Sequence, residues 1–229
     1  MTSLPLWRYE VRRVGWAALL TPPLAAAVVA GFALVDRSPG ADERSASGNL
    51  FAALEMALPL VTGIGAASLV GRDPTVELQL TLPTRYRTTL LRRLAVLLGW
   101  TGLVALAIAA YLIGTGWPWT HGTVVGQLIW LAPTLWLAAV GLLAGAVLRS
   151  PAAAGGLVAV LWLVEQLFRA TFQEHAWSRL LYLFATTRGA VPGDWMANRL
   201  TLVGTALALG VAAWALLGRT ERLVGGEVE

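Results

Sequence analysis

Apolar residues occur along this chain in six long runs, separated by short stretches that hold the charged residues. The runs cover residues 15–35, 50–70, 94–114, 124–148, 152–168 and 200–218. Most are close to the length of about 20 residues that a helix needs to cross a hydrocarbon core of about 30 Å. The pattern predicts an all-α integral membrane protein, with residues 1–229 forming a single transmembrane domain of six transmembrane helices.

Prolines and glycines refine this picture. Only Arg149, Ser150 and Pro151 separate the fourth run from the fifth, so Pro151 is expected at a tight reversal. Pro59 and Pro133 lie inside runs and predict kinks whose carbonyl groups must find partners in neighbouring helices. A second pair of prolines, Pro22 and Pro23, predicts the same in the first run. Gly141 and Gly145 have the spacing of small residues that mark close helix packing.

The basic residues predict the orientation of the chain. All 17 are arginine, and eleven lie before the first run, after the last, and in the alternate connections between runs. The other set of connections holds six, spread over longer loops. Basic residues near helix ends favour the cytoplasmic side, so both termini are expected in the cytoplasm, with the chain in a bacterial plasma (inner) membrane. The net charge of +4 is then explained by topology, and no nucleic-acid partner is expected.

Residues 4–14 precede the first run and have helical spacing. Trp7, Val11 and Val14 share one face, and Arg8, Arg12 and Arg13 occupy the other. This pattern is typical of an interfacial helix on the cytoplasmic surface. It is equally compatible with a basic flank that anchors the first transmembrane helix.

The composition excludes several chemistries. The chain contains no lysine and no cysteine, and its only histidines are His121 and His175. It therefore lacks the lysine of a Walker A phosphate loop, a thiolate metal site and a thiol nucleophile. We expect no cofactor or metal on this chain and no catalysis by it, and without a Walker A lysine it cannot hydrolyse ATP by that route.

The most informative connection is residues 72–93, between the second and third runs. Asp73 is a good N-cap, Pro74 suits a first helical turn, and Val76, Leu78, Leu80 and Leu82 give an apolar face before Pro83. The pattern predicts a short helix along the cytoplasmic face. Such a helix is suited to docking a soluble partner.

This segment resembles the one between spans two and three of the ABC-2 type permeases, the transmembrane subunits of ATP-binding-cassette exporters. That family commonly has a basic or acidic start, then Gly-Thr-Leu-Glu, two leucines, a Thr-Pro or Leu-Pro turn and a closing Gly-Lys. The matching positions here are Arg72, Asp73, Thr75, Val76, Glu77, Leu78, Leu80, Leu82, Pro83, Arg85, Arg92 and Arg93. Pro74 replaces the usual glycine, and arginine replaces the closing lysine.

The resemblance implies a permease that forms a dimer with a second copy or a homologue in the lipid bilayer. It also implies a separate ATPase subunit, which binds ATP and Mg²⁺ and contacts a coupling helix between spans two and three. The contact residues would be Arg72, Asp73, Val76, Glu77, Leu78, Leu80, Leu82, Pro83 and Arg85. Short outer helices are implied between spans five and six, within residues 169–199.

Two glutamates and two glutamines in the apolar runs need an explanation, because charged and polar groups in hydrocarbon are costly. Glu55 is expected near the outer end of span two, where water or an outer-loop arginine can satisfy it, or else facing a translocation path. Glu165 precedes Arg169 by four residues, which favours a helical ion pair. Gln127 is expected to form hydrogen bonds between helices, as is Gln166. Glu55, Glu165 and Gln127 are the candidate intramembrane sites.

Other classes of protein fit the six runs less well. An intramembrane serine protease needs a serine and a histidine at one depth, yet Ser68 lies in a span and both histidines lie in loops. An ion-coupled carrier or channel usually has several acids at mid-membrane, and neither glutamate is central. The haem-exporter subunit of cytochrome c maturation has a similar length and number of spans, and the sequence does not separate it from other exporters.

Overall fold

The computed structural model describes residues 20–25, 27–28, 31, 43–71, 86–117, 119 and 121–218. The predicted interfacial helix at residues 4–14 lies outside these residues. So do most of the first apolar run and residues 72–85, which include nine of the predicted coupling positions from Arg72 to Arg85. Within the first run, residues 20–25, 27–28 and 31 are helical.

The described residues are helical and contain no strand. Helix α1 consists of an α-helix over Glu43–Ala52, a π-helix over Ala53–Ala57 and an α-helix over Leu58–Gly71. The other long helices are α2 (Tyr86–Gly114), α3 (Leu128–Leu148), α4 (Pro151–Leu167) and α7 (Trp195–Leu216). Two short helices, α5 (Arg169–Glu174) and α6 (Ala176–Leu181), lie between α4 and α7, and 3-10 turns at Val125–Gln127 and Pro192–Asp194 precede α3 and α7.

Four helical segments are long and apolar enough to cross a membrane. They are Ser47–Val70, Thr88–Gly114, Val125–Leu148 and Pro192–Leu216. Helix α4 is apolar but shorter, with 17 residues. The chain is therefore an all-helical, multi-pass membrane protein in its described part. The sequence predicted six spans, and the described residues contain four of full length.

The connection between α3 and α4 is a two-residue reversal, as Pro151 predicted. Arg149 ends α3 in the left-handed conformation, with φ of 54°. Ser150 is the N-cap of α4, and its hydroxyl oxygen accepts a hydrogen bond from the Ala153 amide at 3.3 Å. Pro151 then occupies the first helical position, where its missing N–H leaves no hydrogen bond unmade. This geometry makes α3 and α4 antiparallel neighbours.

Helix α3 is the centre of the bundle and packs against α1, α4 and α7. Its approach to α1 depends on glycine. A Cβ on Gly141 would overlap the carbonyl oxygen of Gly63, and a Cβ on Gly145 would lie 2.9 Å from the Cβ of Val70. Only a residue without a side chain fits at such a backbone contact. The pair of glycines in α3 therefore determines how closely α1 and α3 can pack.

The π-helical turn of α1 lies just before Pro59. It begins at Ala53 and includes Glu55, and the Leu58 amide donates to the Ala53 carbonyl. The indole nitrogen of Trp162 in α4 donates to the Met56 carbonyl in this turn at 3.0 Å. The turn thus has a side-chain contact with a neighbouring helix, although the Met56 carbonyl is not the one that the missing N–H of Pro59 leaves free. Turns of this kind are frequent at functional sites.

Replacing Gly141 by alanine tests the α1–α3 contact. We expect Gly141→Ala to destabilise the fold by about 1–3 kcal/mol, the usual cost of overpacking a filled core. The control is Gly204→Ala in α7, because a Cβ there meets no atom within 4 Å. Alanine is also the better helix former, so this variant should be neutral or slightly more stable. Equal melting temperatures for the two variants in detergent would contradict the proposed contact.

Candidate functional site

The candidate site lies at one end of the bundle, which we call the long-loop end. Helices α2 and α4 finish there, α3 and α7 begin there, and it carries the connections over residues 115–124 and 168–194. Aromatic contacts join these elements: the rings of Phe51 and Trp117 are 5.9 Å apart, and His121 stacks on Trp195 at 3.7 Å. By the arginine pattern this end is expected on the outer side.

A non-helical stretch of the long-loop end, Tyr182 to Thr187, folds back into the bundle. We call it the re-entrant segment. Tyr182, Leu183 and Phe184 have no exposed surface and share one core cluster with Val158 of α4. The Phe184 ring lies 5.8 Å from the ring of Trp162, which precedes the end of α4 by about five residues, or about 7.5 Å of helix. The segment therefore reaches below the helix ends.

Irregular backbone at this depth requires hydrogen-bond partners, because neither lipid nor an apolar core supplies any. Side chains supply most of them. The Leu183 amide donates to Oε2 of Glu165 at 2.7 Å, and the Leu183 carbonyl accepts from Nη1 of Arg199 at 3.0 Å. Nδ2 of Asn198 donates to the Tyr182 carbonyl at 2.8 Å. Asn198 also donates to the carbonyls of Arg179 and Leu180, which end α6.

Glu55 of the π-helical turn holds the other half of the re-entrant segment. Its Oε1 accepts from the Thr186 amide at 2.8 Å, and its Oε2 accepts from the Thr187 amide at 2.7 Å and the Thr187 hydroxyl at 2.6 Å. Nη2 of Arg199 donates to Oε1 of the same carboxylate. Both side chains of this ion pair are fully buried. The carboxylate is thus shared between one cation and two backbone amides.

Arg199 occupies the first turns of α7 and connects several parts of the site. Its Nη2 also donates to the Thr186 hydroxyl at 2.7 Å, and that hydroxyl accepts from the Trp195 indole at 2.9 Å. The guanidinium carbon lies 5.7 Å from the centre of the Trp195 ring. His121 stacks on the same Trp195 ring. A continuous series of contacts therefore runs from the loop to the buried ion pair.

A second ion pair at the same end lies near the surface. Nε of Arg179 lies 2.8 Å from Oδ2 of Asp194, with 22% and 37% of the two side chains exposed. Exposed pairs contribute about 0–1 kcal/mol, whereas breaking a buried pair leaves an uncompensated charge and costs about 3–5 kcal/mol. The two ion pairs therefore differ in strength and in the elements they join. The buried pair joins α1 to α7, and the surface pair joins α6 to the 3-10 turn before α7.

The pKa of His121 depends on its burial and on the charge of Arg199. Partial burial lowers the pKa of His121 from its usual 6.5, and the positive charge of Arg199 lowers it further. The neutral imidazole is thus the form that stacks on Trp195.

The three candidate sites predicted from the sequence have different partners in the structure. Glu55 is paired with Arg199, which the sequence had counted among the outer arginines. Glu165 does not pair with Arg169 within the described part of the chain, so that prediction is wrong: the carboxylate turns to the Leu183 amide instead. Gln127 was expected to bridge helices, but it accepts from Trp130 and donates to the Thr123 carbonyl, both local contacts.

Sequence reasoning did not single out Asn198, Arg199, Thr186 or Thr187 as parts of the site. Arg199 was counted only as a flank of the last span. The available signal was the start of that span: an arginine four residues after Trp195 lies one helical turn inside it, where an unpaired charge is costly. The partner of that charge could not be read from the sequence, because Glu55 is 144 residues away.

The rest of the described bundle offers an apolar groove and a buried contact between the hydroxyls of Thr62 and Thr101, 3.0 Å apart. The groove, of about 430 Å³, lies between α2, α3 and α7, towards the opposite end, and is lined by residues such as Leu94, Leu142 and Val211. Ser68 donates to the Gly65 carbonyl of its own helix. No group of three or more metal-ligating side chains occurs in the described part of the chain.

Comparison with known proteins gave no match to a family model, a curated protein or a solved structure.

Removing the charge of Glu55 tests the buried pair. We expect Glu55→Gln to lower stability by about 3–5 kcal/mol, because Arg199 remains buried without its counter-charge. Asp194→Asn, which neutralises the surface pair at the same end, should cost about 1 kcal/mol or less. Thermal unfolding of the purified variants measures both. Similar losses for the two variants would show that the buried pair is not the stronger anchor.

The stacking of His121 predicts a pH dependence. The folded state has the lower pKa, so the unfolded chain binds this proton more readily. The stabilising contribution of neutral His121 is present above pH 6.5 and is lost as pH falls through the folded-state pKa. We expect the melting temperature to fall less between about pH 7.5 and about pH 5 in His121→Phe, which keeps a ring on Trp195 but cannot titrate. His175→Phe is the control and should behave like the native chain; identical falls in all three proteins would refute the effect.

Proposed function

We propose that this chain is the membrane-spanning permease subunit of an ATP-binding-cassette exporter. In this proposal it forms the translocation path as a dimer with a second copy or a homologue. A separate ATPase subunit binds ATP and Mg²⁺ and drives the cycle. The chain itself carries no catalytic residue.

The observation that carries the proposal is the buried re-entrant segment together with α5 and α6. These elements lie between α4 and α7, where the resemblance to ABC-2 type permeases implies short helices. They occupy the long-loop end, whereas Gly71 and Tyr86, which flank the predicted coupling segment, lie at the other end of α1 and α2. One end of the bundle thus carries a packed connection with short helices, and the other leads into the basic, amphipathic segment suited to a cytoplasmic partner.

The ion-coupled carrier has less support. A coupling carboxylate must bind and release its ion during each cycle, and it usually lies at mid-membrane. Both intramembrane acids of this chain are instead bound to backbone amides of the re-entrant segment, and Glu55 also to Arg199. Neither lines the apolar groove. Their arrangement supports a role in holding the outer elements in place.

The proposal predicts a partner that binds at the coupling segment. A tagged chain, purified from its native membrane, should bring down a nucleotide-binding subunit, and Glu77→Arg should abolish both that association and transport, because it reverses a charge at the proposed contact. The matched control is Glu174→Arg, the same reversal on α5 at the long-loop end, which should leave the ATPase bound. If no ATPase co-purifies, or if Glu77→Arg leaves transport unchanged, the proposal is wrong.

A further inference from the structure

The surface where α4 meets α5 combines exposed apolar side chains with exposed arginines. One stripe along α4 is apolar and exposed, and consists of Val160, Leu163, Val164 and Leu167. Phe168 continues the stripe, and the exposed Arg169 then begins α5. Trp177 of α6, in the same connection, is also exposed. A change from apolar to basic side chains next to an exposed tryptophan is typical of the level of the lipid headgroups.

Arg188 lies on the same side of the long-loop end as Arg169. Arg169 and Gln173 are four residues apart on α5, so they share one face of that helix. Oε1 of Gln173 accepts from the Ala190 amide at 3.1 Å, which brings the turn that contains Arg188 against this face. Burial raises the pKa of Tyr182 to about 12, and the charges of Arg169 and Arg188 both act against this rise. Both guanidinium groups therefore lie near the same buried hydroxyl.

The backbone turn that carries Arg188 is fixed by close contacts. The Arg188 amide donates to the Phe184 carbonyl at 2.9 Å, which joins the turn to the buried re-entrant segment. Gly189 follows, and a Cβ there would overlap the carbonyl oxygen of Ala185. No residue with a side chain fits this position unless the backbone shifts. The fold thus determines where the Arg188 side chain begins.

Neither arginine has an acidic partner. The acids that form ion pairs at this end, Asp194 and Glu55, are bound by other arginines. Arg169 and Arg188 form no ion pair within the part of the chain that the structure describes. Two like charges on one surface repel each other, and an anion between them removes that repulsion. The planar donors of arginine match the oxygens of a phosphate group especially well.

We propose that Arg169 and Arg188 bind the phosphate of an anionic phospholipid, whose acyl chains lie along the exposed stripe of α4. A membrane supplies phosphate at this depth and acyl chains beside the stripe, so one lipid satisfies both parts of the surface. Two positive charges favour a headgroup without an amine, such as phosphatidylglycerol. The inference requires a membrane protein, but it does not require the proposed permease function.

Lipid binding to the purified chain tests the site. The chain is titrated with phosphatidylglycerol in a neutral detergent, and native mass spectrometry counts the bound lipid. We expect Arg169→Gln and Arg188→Gln each to bind it about fivefold more weakly, the usual effect of one basic residue near an anionic lipid. Gly189→Ala keeps both guanidinium groups but forces the turn to shift, so it should weaken binding too. Binding of phosphatidylcholine, which adds an amine to the same phosphate, should be weak in all four proteins.

The matched control is Arg149→Gln at the opposite end of the bundle. Arg149 is also exposed and also forms no ion pair with another described residue. This variant should bind phosphatidylglycerol like the native chain. If it binds as weakly as Arg169→Gln, or if Gly189→Ala binds normally, general attraction to positive charge explains the lipid and the proposed site is wrong.

Two further outcomes would replace the lipid by another occupant. Inorganic phosphate that binds as tightly as phosphatidylglycerol would make a free anion the ligand. Arginine variants that change the ratio of dimer to monomer, while the count of bound lipid stays the same, would show that a second copy covers the surface. Either result would overturn the lipid site. No ATPase takes part in these measurements, so the proposed function is unaffected by their outcome.

Discussion

The need to pair irregular backbone in an apolar interior governs this structure. Five long helices pair most of their own backbone groups, but the re-entrant segment does not, and its residues Tyr182, Leu183 and Phe184 are fully buried. The bundle therefore contains Glu55, Glu165, Asn198 and Arg199 at depths where such residues would otherwise be unfavourable. The buried charged side chains supply the hydrogen bonds that the segment's backbone needs, and the segment supplies partners for those side chains. Neither would be stable without the other.

The same requirement links the local features of the helices. The π-helical turn before Pro59 carries Glu55 and brings it into the bundle, where its carboxylate reaches Thr186 and Thr187. Glycines in α3 let α1 approach closely enough for the core around Leu137 and Val158 to form. Close packing of α1 against α3 thus supports the polar cluster around Glu55 at the long-loop end. Small residues and buried charges together thus give the long-loop end a defined structure without disulfides.

The proposed function rests on the contrast between the two ends. The long-loop end is dense in aromatic contacts and buried hydrogen bonds, while the other end leads into a basic, amphipathic connection. An exporter driven by a cytoplasmic ATPase needs a surface that contacts the ATPase. It also needs an opposite end whose conformation changes during the cycle. The permease proposal accounts for this difference between the two ends.

In the described part of the chain, the sequence alone predicted the four helices of membrane length, because a run of apolar residues of that length has few alternatives. It also determined the reversal at Pro151, since the proline ring prevents one continuous helix. It could not determine how the polar residues pair. Local spacing favoured Glu165 with Arg169 and gave Glu55 no particular partner. Only the tertiary structure brought Arg199 to Glu55 and the Leu183 amide to Glu165, because a buried charge is satisfied by whatever the fold places beside it, at any distance along the chain.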